Sequence, residues 1–152
     1  MNQMRQVEVA ILGGGAAGSA AAIAQRQAGV SSVCVVERSD FTAQRIGESI
    51  PPDANPILAR LGVADQMVHG GHLPAFGSHS IWGSGQLGHN DFMTSPHGHG
   101  WHLDRRRFDA MLLAQAEAVG AVVLRETICT GVATDRWGDR INQLQLRSGA
   151  GR

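Results

Sequence analysis

A glycine-rich turn near the start of the chain constrains the fold more than any other feature. Apolar residues precede the turn over 7–12, the turn itself reads Gly-Gly-Gly-Ala-Ala-Gly over 13–18, and a second apolar stretch ends in Glu37. The β-branched stretches predict strands on both sides, and the alanines between them predict a helix that Gly29 ends. The pattern therefore predicts a strand, a crossover helix and a second, parallel strand.

Each glycine of the turn has a separate expected role. Gly13 permits the tight turn after the strand, Gly15 lets a pyrophosphate approach the backbone, and Gly18 lets the helix pack closely on the sheet. The first helical turn, with Ala16 and Ala17, would present unpaired N–H groups and the positive end of the helix dipole to phosphates.

An acidic residue closes the second predicted strand. Glu37 lies 19 residues after Gly18, close to the spacing of about 20 for an acid that binds ribose hydroxyls. Its carboxylate disfavours the 2′-phosphate of NADP, although Arg38 partly offsets this. Strand, turn, helix and acid together predict a nucleotide cofactor, against the alternative of an ordinary strand-helix-strand unit. Spacing alone does not choose between FAD and NAD.

Length and composition limit the class of protein. A chain of 152 residues corresponds to about one domain. Its 13 basic residues, all arginine, balance 13 acidic residues, so the charge does not indicate a nucleic acid or an acidic membrane as partner. Two cysteines do not form a disulfide framework, and glycines interrupt the apolar run that starts at Val9. We therefore expect a cytoplasmic protein that does not enter membranes.

The second half of the chain predicts a helix and a hairpin. Asp104 is a candidate N-cap, Gly120 a stop signal, and between them one face is traced at helical spacing by Phe108, Met111, Leu112, Gln115 and Val119. A buried strand is expected over 121–124. Two further strands, 128–135 and 141–146, are expected to pair through a turn at 136–139.

All seven histidines lie within residues 69–102, a glycine-rich segment with one strand-like piece at 80–82. His97, His99 and His102, together with His69 and His72, could form a metal site. No regular scaffold would fix the ligand geometry, so we interpret them as loop residues, of which one could act as an acid or base. Trp82 and Trp101 either line a pocket or simply pack.

Four segments together resemble the FAD-dependent oxidoreductases of the flavin-monooxygenase type, especially the branch with tryptophan halogenases and peptide-modifying flavoproteins. They are the turn with Glu37-Arg38, the loop Arg45-Ile-Gly-Glu-Ser-Ile-Pro-Pro, the pair Trp82-Gly83, and residues 100–109. The resemblance implies an α/β fold: a Rossmann-like FAD-binding domain with a β-hairpin, incomplete at its C-terminus. Residues 1–152 would be the N-terminal part of that domain, with 69–102 facing the flavin and substrate and most of the substrate domain absent.

The resemblance also implies FAD as the cofactor and assigns residues to it. Arg45, Gly47 and Ser49 would lie along the pyrophosphate and ribityl chain, where a guanidinium suits phosphate; the alternative for Arg45 is a solvated surface arginine. Arg105 would lie near the flavin nucleotide and Ile128 beside the adenine. We expect Arg106 and Arg107 to be solvated or paired to Asp109. No catalytic residue and no metal ligand is assigned.

The reaction implied is flavin-peroxide hydroxylation of an aromatic or otherwise electron-rich small molecule or of a peptide side chain, with dehydrogenation left open. NAD(P)H or a separate flavin reductase would supply electrons. Halogenases of this family use a lysine downstream of the Gly-Glu-Ser/Thr loop, and this chain contains no lysine, which disfavours halogenation. A further alternative is an inactive fragment of the fold, and we expect residues 1–152 alone to bind FAD weakly.

Overall fold

The computed structural model describes residues 5–83, 85–134 and 141–149. Two compact units are formed, the first by residues 1–43 with 112–152 and the second by residues 44–111. Along the chain the elements are β1 (Val9–Leu12), α1 (Ala16–Gln27), β2 (Val33–Val36), β3 (Ser49–Ile50), α2 (Ala54–Arg60), α3 (Ala64–His69), β4 (Leu73–Ala75), β5 (Gly77–Ser80), β6 (Gly88–Asp91), β7 (Gly100–His102), α4 (Arg105–Ala118), β8 (Val122–Leu124), β9 (Thr127–Thr134) and β10 (Ile141–Ser148).

A parallel sheet forms the centre of the first unit and confirms the predicted strand-helix-strand unit. Its strand order is β1-β2-β8, with Val9 aligned to Val33 and Cys34 aligned to Val122. The central strand β2 is buried along its whole length, because α1 packs on it. Gly29, at φ +89°, follows the end of α1 as expected.

The strand predicted to be buried over residues 121–124 differs from the expectation. The strand is β8, and it starts one residue later, at Val122, which is partly exposed, whereas Ala121 before it is buried. Among the described strands β8 lies at one edge of the sheet. An edge strand covered on fewer sides can be apolar in sequence without being fully buried.

The predicted hairpin is present as the antiparallel pair of β9 and β10. Each strand differs slightly from the expected bounds, since β9 runs over Thr127–Thr134 and β10 over Ile141–Ser148. Register shifts occur between Ile141 and Gln143 and between Gln145 and Leu146. The expected turn at 136–139 lies outside the described residues.

Helix α4 begins and ends where the sequence indicates, but its buried face is rotated from the face traced in the sequence. Asp104 Oδ1 accepts hydrogen bonds from the backbone N–H groups of Arg106 and Arg107, which confirms the N-cap. The buried positions are Phe108, Asp109, Leu112, Leu113 and Ala116. Met111, Gln115 and Val119 are only half-buried. The buried stripe is thus rotated from the one traced in the sequence, and it includes a charged residue, Asp109, which hydrophobicity would place outside it.

The described residues of the second unit form two small antiparallel sheets, two short helices and the first part of α4. One sheet has the order β3-β7-β4, and the other pairs β5 with β6. Buried apolar side chains include Leu58, Val63 and Met67. The strand expected at 80–82 is instead β5, which ends at Ser80, and Trp82 lies beyond it with 91% of its surface exposed. No helix of the described residues has the length and hydropathy needed to cross a bilayer.

Candidate functional site

The glycine-rich turn of the first unit adopts the geometry that its sequence predicts. Gly13 has φ +106°, a conformation that other residues rarely adopt, and its N–H donates to the Val36 carbonyl at 2.8 Å. A Cβ on Gly18 would collide with the Gly13 carbonyl oxygen and approach Ile11. Gly13 therefore permits the turn, and Gly18 permits close packing of α1 on β1, as expected.

The start of α1 suits an anion. Gly15 occupies its N-cap position and has no side chain with which to cap it, and Ala16 and Ala17 form the first turn. In α4, by contrast, Asp104 caps the helix. The first N–H groups of α1 and the positive end of its dipole therefore resemble the phosphate sites found at helix N-termini.

Glu37 directly follows β2 and lies against the turn. Only 4% of the residue is exposed, and its Oε2 accepts a hydrogen bond from the Gly14 N–H at 2.5 Å. Its Oε1 accepts one from the Ser39 N–H at 2.7 Å. Each carboxylate oxygen can accept two hydrogen bonds. The two backbone bonds fix the orientation of a buried carboxylate, as a site for paired hydroxyl donors requires.

Two residues that shape this turn were missed by sequence reasoning. Gly14 donates to Glu37, and a Cβ there would lie 3.0 Å from the Glu37 Cβ and 3.1 Å from Leu113 Cδ1. Ser19 is fully buried and its hydroxyl donates to the Gly14 carbonyl at 2.9 Å. The glycine triplet gave a signal for Gly14. No sequence pattern marks Ser19, although its partner, the Gly14 carbonyl, lies on the preceding turn.

Two other candidate residues of the first unit are exposed. Arg38 follows Glu37 and is exposed. Ile128 lies on β9 opposite Arg147 and is 42% exposed, so it is not a core residue. Both side chains are accessible, and their contact with a cofactor remains a prediction.

In the second unit, Arg45 and Arg105 share one buried carboxylate, that of Asp109; we call these three residues the arginine clamp. Arg45 Nη1 donates to Asp109 Oδ2 at 2.8 Å. Arg105 donates through Nε to Oδ1 at 3.2 Å and through Nη2 to Oδ2 at 3.1 Å. The Asp109 side chain is fully buried, whereas those of Arg45 and Arg105 are 26% and 21% exposed. Arg45 is thus not the solvated arginine of the alternative interpretation.

The sequence predicts the contacts of Arg106 and Arg107, next to the clamp, only in part. Arg106 and Arg107 are exposed and pair with Asp104, so the expected pairing with Asp109 is wrong and the solvated interpretation holds. Spacing explains the difference, because Arg105 and Asp109 are four residues apart on one face of α4. The importance of Asp109 itself was missed.

The loop before β3 carries the remaining candidates. Gly47 has φ +93°, and a Cβ there would lie 2.7 Å from Arg105 Nη1. Ser49 is exposed on β3, opposite His102 on β7, and its Oγ lies 3.0 Å from His102 Nδ1. Gly47 is therefore required by both backbone conformation and space, whereas Ser49 is positioned by strand pairing.

The histidines lie in several different environments. Within the part of the chain that the structure describes, no group of three or more histidine, cysteine or acidic side chains could hold a metal. His79 and His89 stack edge to face across β5 and β6 with ring centroids 4.5 Å apart. His97 Nε2 lies 4.0 Å from Asp53 Oδ1.

His72 differs from the exposed histidines because it is buried. Its Nδ1 accepts a long hydrogen bond, 3.3 Å, from the Asp104 N–H, and its ring contacts Phe108 edge to face. Its Nε2 has no protein partner among the described residues. Burial lowers the pKa of His72, and Arg107 lowers it further while Asp104 raises it. The ring is therefore held neutral near pH 7.

The Trp101 side chain is buried and packed within the second unit. Its indole N–H donates to Asn55 Oδ1 at 2.7 Å, and the Asn55 amide donates to the carbonyls of His97 and His99 at 2.8 Å each. Beside this network a mainly apolar cleft of about 320 Å³ is lined by Leu58, Met67 and Trp101 together with neighbouring residues.

Comparison with known proteins agrees with this geometry. The family described as FAD binding domain matches residues 6–152. A protein of Marinomonas mediterranea named as a FAD-dependent oxidoreductase, LodB, is 32% identical over 124 residues, covering 80% of this chain and 34% of that protein. A Pseudoalteromonas luteoviolacea brominase of 1H-pyrrole-2-carbonyl peptidyl-carrier protein is 34% identical over 116 residues, covering 76% of this chain and 28% of the enzyme.

The solved structure of the myxobacterial chondrochloren halogenase CndH, a FAD-dependent halogenase, superposes with a TM-score of 0.83 at 29% identity. The match covers 96% of this chain and 34% of that one. The chain therefore spans about a third of the length of these relatives. The fold expected from the sequence, an α/β FAD-binding fold, is confirmed, and FAD is the cofactor of the family. This chain belongs to the FAD binding domain family.

Proposed function

We propose that the chain forms the cofactor-binding part of a flavin-dependent oxidoreductase and that its first unit holds the adenosine and diphosphate portions of FAD. The observation that carries this proposal is the buried Glu37 carboxylate, bonded to the Gly14 N–H beside the start of α1. A carboxylate accepts hydroxyl hydrogens, and a helix start without a capping side chain accepts phosphate. The two features match the two ends of an adenosine diphosphate group.

Each candidate residue of the first unit would contact a different part of that adenosine diphosphate group. Glu37 would accept hydrogen bonds from the ribose hydroxyls, and the N–H groups of Ala16 and Ala17 would donate to phosphate oxygens. Gly15 would let the phosphates approach without steric hindrance. Exposed Ile128 would contact the adenine ring, and Arg38 would lie near the ribose.

Residues of the second unit are proposed to bind the same cofactor on the evidence of the family resemblance. Arg45 and Arg105 supply cationic donors for phosphate oxygens, and Gly47 and Ser49 supply a close backbone and a hydroxyl. The segment 69–102 would face the flavin and the substrate. When bound, FAD supplies the redox chemistry, and the protein binds it, orients it and limits the access of water.

The reaction we propose is oxygenation of an electron-rich small molecule or peptide side chain, with electrons from NAD(P)H or a separate flavin reductase. Membership of the family and the similarity to LodB support an oxidoreductase. The absence of lysine from the 152 residues favours oxygenation over halogenation, because the family's halogenases use a lysine ammonium group. The free thiols Cys34 and Cys129 fit a reducing compartment such as the cytoplasm.

Halogenation is the second candidate, and the names of two relatives support it. Both the carrier-protein brominase and CndH are named for halogenation. Their identities to this chain, 34% and 29%, are close to the 32% of LodB, so the names support either reaction. A carrier-bound pyrrole, the substrate in the brominase's name, is a candidate substrate for this chain as well.

One experiment separates the two reactions. The full-length enzyme would be supplied with reduced FAD, oxygen, bromide and a panel of phenols, indoles and carrier-bound pyrroles, and the products would be analysed by mass spectrometry. Oxygenation predicts a product that gains one oxygen atom. An enzyme-dependent product with the bromine isotope pair would instead establish halogenation and show that the lysine argument fails.

A further inference from the structure

The arginine clamp of the second unit ties a loop to a helix. Arg105 extends from the first turn of α4, and its Nη1 donates to the carbonyl of Ile46 at 2.6 Å and to that of Gly47 at 3.3 Å. The remaining nitrogens of the same guanidinium bind Asp109. Arg105 thus bonds to the loop and to the buried carboxylate at once, and Arg45, in the loop, binds that carboxylate as well.

Asp109 is an unusual choice for a buried helix position. Burying a carboxylate is costly unless hydrogen bonds and opposite charges compensate it, and an apolar residue of similar size would often serve stability equally well. Here both carboxylate oxygens are used, and three guanidinium nitrogens donate to them. What the carboxylate supplies beyond packing is a fixed position for two guanidinium groups, of which both remain partly exposed.

The charges of the clamp leave it cationic. Two guanidinium groups and one carboxylate sum to one positive charge. Both arginines retain exposed surface while the Asp109 side chain has none, so the exposed surface of these three residues is guanidinium surface. Such a surface attracts phosphate, and guanidinium N–H groups form charge-assisted hydrogen bonds with phosphate oxygens.

We infer that Asp109 is a positioning residue for cofactor binding: it holds Arg45 and Arg105 in the geometry that binds a phosphate of FAD. The inference rests on the proposed function. Asp109 has no exposed surface and acts through the two arginines. Its role is therefore distinct from charge balance, because a negative charge near the phosphate would by itself weaken binding.

The sign of one measurement distinguishes positioning from charge balance. In Asp109→Asn, a negative charge is removed, so a charge-balancing role predicts tighter binding of FAD. Positioning predicts weaker binding, by about tenfold or more in Kd, since charge-assisted hydrogen bonds are lost. Asp109→Glu, which keeps the carboxylate, should recover part of the loss. The matched control is Glu117→Gln, which breaks the exposed pair with Arg125 and should leave the Kd unchanged.

The assay is titration of FAD into the protein, followed by flavin fluorescence, with thermal melting used to confirm folding. Arg45→Gln is a second variant, which removes one partly exposed cation and leaves Asp109 paired with Arg105. This substitution should weaken FAD binding and make the Kd depend less on salt concentration. Unchanged or tighter FAD binding by folded Asp109→Asn, or unchanged binding by Arg45→Gln, would overturn the inference while leaving the proposed function intact. Failure of the wild-type protein to bind FAD would overturn both.

Discussion

Replacing Glu37 with glutamine would test the carboxylate while preserving its size. In the structure both carboxylate oxygens accept backbone hydrogen bonds, one from Gly14 and one from Ser39. Glutamine has one oxygen and one amide nitrogen, and the nitrogen only donates. One of the two backbone N–H groups, in a buried position at Gly14 or a partly buried one at Ser39, would therefore face another donor.

The magnitude follows from that mismatch. An unsatisfied buried N–H costs about 1–3 kcal/mol, so the free energy of unfolding without ligand should fall by about that amount. If Glu37 also accepts from the ribose, FAD binding should lose a further acceptor, worth about 1–3 kcal/mol or roughly 5- to 150-fold in Kd. Stability and affinity should thus both decline.

Urea unfolding in the absence of FAD measures the first effect, and FAD titration at a temperature well below melting measures the second. Glu8→Gln is the matched control, because Glu8 also accepts hydrogen bonds from a backbone N–H and a hydroxyl, both of Ser31, but at an exposed position. It should change neither quantity by more than about 0.5 kcal/mol. A Glu37→Gln protein with wild-type affinity for FAD would refute the assignment of Glu37 to the ribose.

Three further substitutions carry clear expectations. Gly18→Ala should lower the melting temperature strongly because its Cβ meets a carbonyl oxygen, whereas Gly85→Ala, with open space, should not. Gly47→Ala should weaken FAD binding more than Gly83→Ala does. Both substitutions add a Cβ at positive φ, but only the Cβ at position 47 would displace the Arg105 guanidinium of the clamp. Burial lowers the pKa of His72 in the folded protein, so as the pH falls this histidine is protonated at a higher pH in the unfolded chain than in the folded one. The free energy of unfolding should therefore fall as the pH decreases below about 6.5. Urea unfolding across this range should show a smaller decrease for His72→Gln.

The sequence predicts those parts of the molecule that depend on local chemistry. Gly13 must turn the chain, Gly18 must let the helix approach, and Glu37 follows at a fixed spacing, so the first strand-helix-strand unit could be read directly. The N-cap Asp104 and the stop at Gly120 are likewise local signals. These predictions agree with the structure because the contacts involved are short in sequence or belong to one supersecondary unit.

The remaining parts depend on contacts between distant residues. Arg45 and Asp109 are 64 residues apart, and Asp109 lies on the buried face of α4 together with Phe108, Leu112, Leu113 and Ala116. Hydrophobic periodicity cannot anticipate a buried carboxylate, since burial there is made possible by two arginines. Trp82 shows the opposite error, because a large apolar side chain suggests burial but lies on the surface. Of the site residues that sequence reasoning missed, Asp109 pairs with Arg45 across 64 residues. Ser19 bonds to the nearby Gly14 carbonyl, but no pattern in the sequence marks that contact.

Nuclear magnetic resonance titration of the isotopically labelled protein tests the central claim most directly, because it detects weak binding residue by residue. If the glycine-rich turn and Glu37 hold the adenosine diphosphate portion of FAD, then FAD and ADP should both shift the amide signals of Gly14, Ala16, Ala17 and Ser39. FMN, which lacks that portion, should leave them in place. Equal shifts with FMN, or FAD binding that leaves these amides unmoved, would contradict the account.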